Sequence, residues 1–338
     1  MKKLISIIIP CYNVENYIDR CVESLVSQSI GLDNLELIFV NDASDDNTLD
    51  RLFYYEKLYE NSIIVVNLEY NIKQGGARNI GIGYASADYI GFVDADDWIE
   101  PSMYEKLYNK IIEKKCDIIA CDFIRDLGKG DSNLGINGLS EKLIIIDNIE
   151  ERKKLLLHGI KGGVWSKLYN RNFLIDNNIF FPERVAYEDN FFAELSMFYV
   201  NSYYVVEEIL YHYFVNIDST VLKRNSSHHF DRLKVELLKL EEFENRGLIE
   251  YFHDEIEYNF LILFFSNTLH TLFLRFDIIP YNIYLFMRNS VIKHFPSYLQ
   301  NKYISEKDKW WLNLIKECVS EEYLNQFAKK YIELINQE

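Results

Sequence analysis

Three short polar strings carry most of the chemistry this chain can offer. Each follows a β-branched run, where a strand would end. Tyr12-Asn13 comes after Leu4 to Pro10, Asp42 to Asp46 after Leu35 to Val40, and Asp94-Ala95-Asp96-Asp97 after Tyr89 to Val93. Asp94-x-Asp96 on a turn supplies the carboxylate oxygens that Mg²⁺ or Mn²⁺ takes, with places left for phosphate and water. A solvated turn or a helix N-cap would use the same residues, so the string alone leaves both readings open. Gly75-Gly76-Ala77-Arg78-Asn79-Ile80-Gly81 is glycine-rich, but no Lys-Ser or Lys-Thr pair follows it, so it is no P-loop. After the first strand stands Cys11-Tyr12-Asn13-Val14-Glu15, with no glycine and hence no dinucleotide fingerprint. Hydride transfer and ATP hydrolysis lose most of their support.

The elements that must position these strings alternate. Leu4 to Ile9 is a continuous apolar run stopped by Pro10, which suits a strand buried on both faces. Further strands are expected over 35–40, 63–68 and 89–93, and helices over 16–28, 48–59 and 77–86. Strand and helix in alternation predict an α/β fold, a mainly parallel sheet with helices on both faces. Ligands of such sheets bind outside the carboxyl ends of the strands. From 216 to 227 the chain is polar, as in a hinge or active-site lid. Helices are then expected over 229–244, 256–276 and 312–335, interrupted by Pro280 and Pro296. The division expected is an α/β domain over 1–227 and a helical C-terminal domain over 228–338.

Composition narrows the function classes. The 338 residues are 49% apolar and 26% charged, enough for a large core, and they exclude disorder, collagen and a small disulfide scaffold. Thirty-six basic residues against 52 acidic give a net charge of −16, which disfavours nucleic acid as a partner. Five scattered cysteines lack metal-ligand spacing and read as reduced, buried thiols. The apolar stretch after Met-Lys-Lys is too short for a secretion signal, and no run of about 20 apolar residues is present. A cytoplasmic location is therefore expected.

Four strings in order, Ile8-Ile9-Pro10-Cys11-Tyr12-Asn13, Val40-Asn41-Asp42-Ala43-Ser44-Asp45-Asp46, Gly75 to Gly81 and Phe92-Val93-Asp94-Ala95-Asp96-Asp97, resemble a family 2 glycosyltransferase of the GT-A fold. The resemblance covers roughly residues 1 to 220. It implies an inverting transfer from a UDP-sugar, with Mn²⁺ or Mg²⁺ as cofactor, to a glycan or lipid-linked acceptor in surface polysaccharide synthesis. Asp96 would then ligate the metal, and Asp94 would face the ribose or the metal shell. Asp97 is an extra carboxylate for either job. Asp42 would accept the uracil N3–H, or else serve an Asx-turn. Pro10 and Tyr12 would meet the base, and Asn71 and Arg78 would line the nucleotide site, with Gly75 and Gly76 letting the backbone bend close. A structural salt bridge is the other role open to Arg78.

Further along stand Trp165 to Arg171, Phe181-Pro182-Glu183 and Tyr187-Glu188-Asp189. By the same resemblance Asp189 is the catalytic base, with Glu188 as its substitute, and Lys167 reaches a phosphate or the acceptor, or else is a surface lysine. First-turn helix acids would also explain Glu188 and Asp189. An inactive nucleotide-sugar-binding scaffold and a nucleotidyltransferase remain as alternatives, although the latter lacks its glycine- and lysine-rich loop. Trp310-Trp311, beside Lys307 and Lys309, reads either as a membrane-surface anchor or as core and interface residues. Peripheral membrane contact and self-association through the tail are both open.

Overall fold

The computed structural model describes residues 2–126, 142–160, 163–215 and 222–335. The chain divides into two compact units, Met1–Asn216 and Ile217–Glu338, where the sequence set the boundary at 227. Residues 216–221 of the expected hinge lie outside the described residues.

The first unit begins with β1 (Ile5–Cys11), α1 (Ile18–Val26), β2 (Leu35–Asn41), α2 (Thr48–Leu58), β3 (Ile63–Asn67), α3 (Lys73–Tyr84) and β4 (Tyr89–Phe92). It continues with β5 (Trp98–Ile99), α4 (Met103–Lys114), β6 (Ile118–Asp126), β7 (Lys142–Ile145) and α5 (Ile149–His158). β8 (Lys167–Asn170), α6 (Arg171–Asp176), α7 (Glu188–Tyr199) and β9 (Ser202–Phe214) complete it. The sheet order is β3-β2-β1-β4-β8-β6-β9-β5, with β7 also on β9.

β1 lies between β2 and β4, parallel to both, and all seven of its residues are buried. Its side chains alternate. Ile5, Ile7, Ile9 and Cys11 share a core with Ile18, Cys21, Val22 and Leu25 of α1 and with Met103, Tyr104, Leu107 and Ile111 of α4. Ile8 points the other way, to α3. There a Cβ on Gly81 would lie 2.3 Å from the Ile8 Cγ2 atom. This two-faced burial is why the strand reads as an unbroken apolar run. Gly81→Ala should therefore cost about 1–3 kcal/mol through overpacking, read as a lower urea midpoint.

The parallel ladders bring strand ends into line. Cys11 pairs with Asn41, and Asn41 with Asn67, so the strings that follow β1 and β2 leave the sheet at one edge. Past β4 the sheet becomes mixed. β8 runs antiparallel to β4 and β6, β9 parallel to β6, and β5 and β7 antiparallel to β9. The parallel reading thus holds for β3, β2, β1 and β4, which are joined by helical crossovers as parallel strands require, and again for β6 with β9.

The second unit is helical: α8 (Asp231–Asn245), α9 (Leu248–Phe260), α10 (Thr268–Arg275), α11 (Tyr281–His294), α12 (Glu306–Glu317) and α13 (Glu321–Ile335). A π-helical turn, Leu261–Asn267, joins α9 to α10. The helix expected over 312–335 is in fact two, because Cys318 adopts φ +47° and ends α12. α12 also starts earlier than expected, at a capping box in which Ser305 and Asp308 exchange hydrogen bonds. Trp310 packs on Phe327 at 4.4 Å, and Trp311 packs on Tyr331 at 5.1 Å and Phe273 at 5.9 Å. Both tryptophans are thus used in packing within the unit, although Trp310 remains 40% exposed. Among the described residues no helix is long and apolar enough to cross a membrane. Four cysteines are buried, and Cys318 is exposed.

Candidate active site

Arg78 organises the site. It sits in α3 with its side chain almost wholly buried. One guanidinium nitrogen donates to Asp94 Oδ1 at 2.7 Å, the other to Glu188 Oε1 at 2.5 Å. Its carbon lies 5.3 Å from the centre of the Phe181 ring, which stacks on Phe192 at 4.0 Å. A buried guanidinium needs paired charge, and this one has a carboxylate on each arm. Arg78, read from the sequence either along the nucleotide or in a structural salt bridge, is held between two protein carboxylates. A Cβ on Gly75 would lie 2.3 Å from the Pro182 carbonyl oxygen and 3.0 Å from Glu188 Cγ, so Gly75 lets α3 approach the segment entering α7.

The consequence is a fixed link between the turn after β4 and the start of α7. Glu188 is buried, and burial raises its pKa against the opposing pull of Arg78. Asp189 is less buried and opens α7 beside it, after Tyr187 at φ +66°. Its pKa is also raised, first by burial and further by Asp94, with Arg78 opposing. Glu188 is committed to Arg78, which leaves Asp189 as the better placed of the two to take a proton.

In the turn itself, Asp96 has a pKa raised to about 6 by burial and by the neighbouring Asp94. Two neighbouring carboxylates on one turn suit a divalent cation, which would relieve their mutual repulsion. Asp97 does not share that task. It is 1% exposed, and its two oxygens accept from Tyr211 Oη at 2.6 Å and from the Phe214 N–H at 2.7 Å. The extra carboxylate is thus spent on β9. Among the described residues the one trio of His, Asp and Glu donors close enough to share a cation is His253, Asp254 and Glu257 in the second unit. Asp254 there already pairs with Lys302 at 2.7 Å.

At the other strand ends, Pro10 is buried within β1 and Tyr12 is 49% exposed. Asn13 ties the first two strings together, its N–H donating to Ser44 Oγ and its Oδ1 accepting from the Asp45 N–H. Asp42 is nearly covered. Its Oδ1 accepts the Ile72 N–H at 2.7 Å at the entry to α3, while its carbonyl oxygen accepts from Asn71 Nδ2 at 3.1 Å. Burial raises its pKa, and the Ile72 and Lys73 backbone N–H groups hold it back. The turn-forming role falls to Asp46, which accepts the Thr48 and Glu15 N–H groups. Lys167 is buried and donates to the Gly163 carbonyl at 2.8 Å. Burial lowers its pKa to about 7, with Cys121 and Asp189 acting the other way.

Three groups at the site escaped the sequence reading: Tyr211, Trp165 as its stacking partner at 4.3 Å, and Arg20. Arg20 donates to the Asp96 carbonyl at 2.8 Å and lies 3.8 Å over the Trp98 ring. The aromatic run Tyr211-His212-Tyr213-Phe214 was the available signal, but nothing in the run says which ring carries a partner.

Residues 6–168 match the family described as Glycosyl transferase family 2. The glycosyltransferase YibD of Escherichia coli, itself uncharacterized, is 30% identical over 271 residues, spanning 76% of this chain and 77% of that one. The chain belongs to glycosyltransferase family 2. The glycosyltransferase EpsH of Bacillus subtilis, so named as putative, is 34% identical over 225 residues. That match takes in 64% of the family 2 chain and 62% of EpsH. The minor teichoic acid biosynthesis protein GgaB of the same organism is 34% identical over 223 residues, but the matched part is 23% of its length. Among solved structures, Staphylococcus aureus TarS aligns over 97% of this chain and 55% of its own, with TM-score 0.69 and 20% identity. That likeness gives the fold, GT-A with a helical C-terminal region.

Proposed function

We propose that this chain is an inverting glycosyltransferase that moves a sugar from a UDP-sugar to a glycan or lipid-linked acceptor in surface polysaccharide synthesis. The observation that carries the reading is the Arg78 fork, which ties the acidic turn after β4 to the opening of α7. It sets Asp189 within the electrostatic reach of Asp94 and Arg78. A donor-side acidic turn and a proton acceptor are what inverting transfer requires side by side. Relatives support the setting: GgaB is named for teichoic acid biosynthesis, and a 31% identical relative is a poly(ribitol-phosphate) beta-glucosyltransferase. TarS structures hold UDP and UDP-GlcNAc.

In this reading Asp189 takes the proton of the acceptor hydroxyl as that oxygen attacks the anomeric carbon opposite the leaving phosphate. Asp42 keeps acceptor capacity beyond the Ile72 N–H and reads the uracil N3–H with it, Pro10 and Tyr12 flank the base, and Asn71 shapes that loop. Asp96 and Asp94 would hold Mn²⁺ or Mg²⁺. Such an ion, when bound, neutralises the charge that develops on the nucleoside diphosphate leaving group. Proton NMR of the anomeric position should show a β product from an α-linked donor. The reading places the protein in the cytoplasm. It gives the helical unit to acceptor binding, self-association or membrane-surface contact, for which the exposed Tyr251, Ile278 and Phe286 are available.

Calorimetry tests the donor assignment. UDP should bind more tightly than GDP or ADP, and EDTA should weaken it. Equal affinity for GDP removes the uridine reading, and indifference to EDTA removes the cation from Asp94 and Asp96.

A further inference from the structure

The acidic turn is clasped from behind by β9. β5, which follows the turn, pairs with β9 through Ile99 and Tyr211 and through Trp98 and His212. The turn closes on itself, the Asp97 N–H donating to the Asp94 carbonyl at 3.0 Å. Tyr211 then spans it. Its single hydroxyl proton goes to Asp97 Oδ2 at 2.6 Å, and its oxygen accepts the Asp94 N–H at 3.2 Å. Because the proton is committed to the buried carboxylate, the lone pairs have one orientation, and Asp94 is held at its backbone. Trp165 stacks on the Tyr211 ring at 4.3 Å and fixes it laterally. Arg20 holds the Asp96 carbonyl on the other side, its guanidinium against the Trp98 and Phe214 rings.

We propose that Tyr211 is a positioning residue: its hydroxyl, braced by Asp97, sets the backbone of the turn so that the Asp94 and Asp96 carboxylates converge on a divalent cation. This rests on the reading of that pair as the cation site. The turn has no regular structure of its own, so the spacing of the two carboxylates depends on what anchors the backbone. Partners of this outer kind change metal affinity about 10–100-fold when removed.

The test is a Mn²⁺ titration of the full chain in the presence of UDP, followed by calorimetry and by the EPR signal of free Mn²⁺. Tyr211→Phe keeps the ring and its stack on Trp165. It should raise the apparent Mn²⁺ dissociation constant about tenfold or more, while UDP still binds at saturating Mn²⁺. A variant that melts lower but keeps the wild-type Mn²⁺ constant shows a merely structural hydroxyl and overturns the proposal. Should Tyr211→Phe fail to fold, Asp97→Asn reads the same effect. Its amide presents N–H groups toward Tyr211, so the hydroxyl must turn and compete with the Asp94 N–H. An Asp97→Asn protein with an unchanged Mn²⁺ constant overturns the proposal equally. The two levels of failure are separable. If wild-type protein binds UDP without regard to Mn²⁺, the cation reading falls and this proposal with it. If Asp96→Asn abolishes the Mn²⁺ effect while Tyr211→Phe leaves it intact, the positioning role alone is wrong.

Discussion

Asp189→Asn should lower sugar transfer by about 10²–10⁴-fold, the usual contribution of a general base, while UDP binding stays near wild type. The amide keeps the shape at the start of α7 but cannot take a proton. Glu188 is a poor replacement because its carboxylate is engaged by Arg78 at 2.5 Å. Steady-state transfer beside UDP calorimetry separates the outcomes. Near-normal transfer by Asp189→Asn with a dead Glu188→Gln would move the base by one residue. The pH profile adds a second check. Burial and Asp94 raise the Asp189 pKa, and the base works only when ionised. The acid limb of the wild-type profile should therefore fall away above the ordinary carboxylate range of about 4, and Asp189→Asn should erase it.

Arg78→Met is the substitution expected to cost most in stability, about 3–5 kcal/mol. The methionine fills part of the space but leaves Glu188 buried without its counter-charge and Asp94 without one of its donors. Urea unfolding measures the loss directly, and its pH dependence identifies the cause. The Glu188 pKa is already raised by burial and would rise further without Arg78. A carboxylate whose folded pKa lies above its unfolded value takes up protons preferentially in the folded state. The deficit should then be fully present above the folded pKa and shrink as pH falls through it. A deficit independent of pH would mean that lost packing against Phe181, rather than charge, is the cause. Arg78→Lys should recover part of the stability, since one ammonium cannot serve both carboxylates in the forked geometry.

The division between sequence and structure follows range. Leu4 to Val93 was legible because β1 and β2 are buried along their whole length and the strands run into polar strings, and local pattern records both facts. The acidic turn, Asp42 and the Glu188-Asp189 pair could be picked out by residue type. Helix ends in the second unit were less legible. The break at Cys318 is a backbone conformation that leaves no hydrophobic signature, and an early start at Ser305 depends on a cap rather than on apolar spacing.

What each residue does at the site was decided by tertiary structure. Arg78 and Glu188 are 110 positions apart, Tyr211 and Asp97 are 114 apart, and no periodicity carries information over such distances. Sequence placed Arg78 either along the nucleotide site or in a structural salt bridge and Asp97 as a spare carboxylate, since charged residues beside an anion or cation site look alike along a chain. Folding buries both. A buried charge must find its partner within the protein, so Arg78 took Asp94 and Glu188, and Asp97 took Tyr211 and the Phe214 N–H. Local pattern marks which strand ends carry acid and amide groups. Which of those groups the fold consumes and which remain for chemistry is settled by packing, because burial is a property of the folded chain.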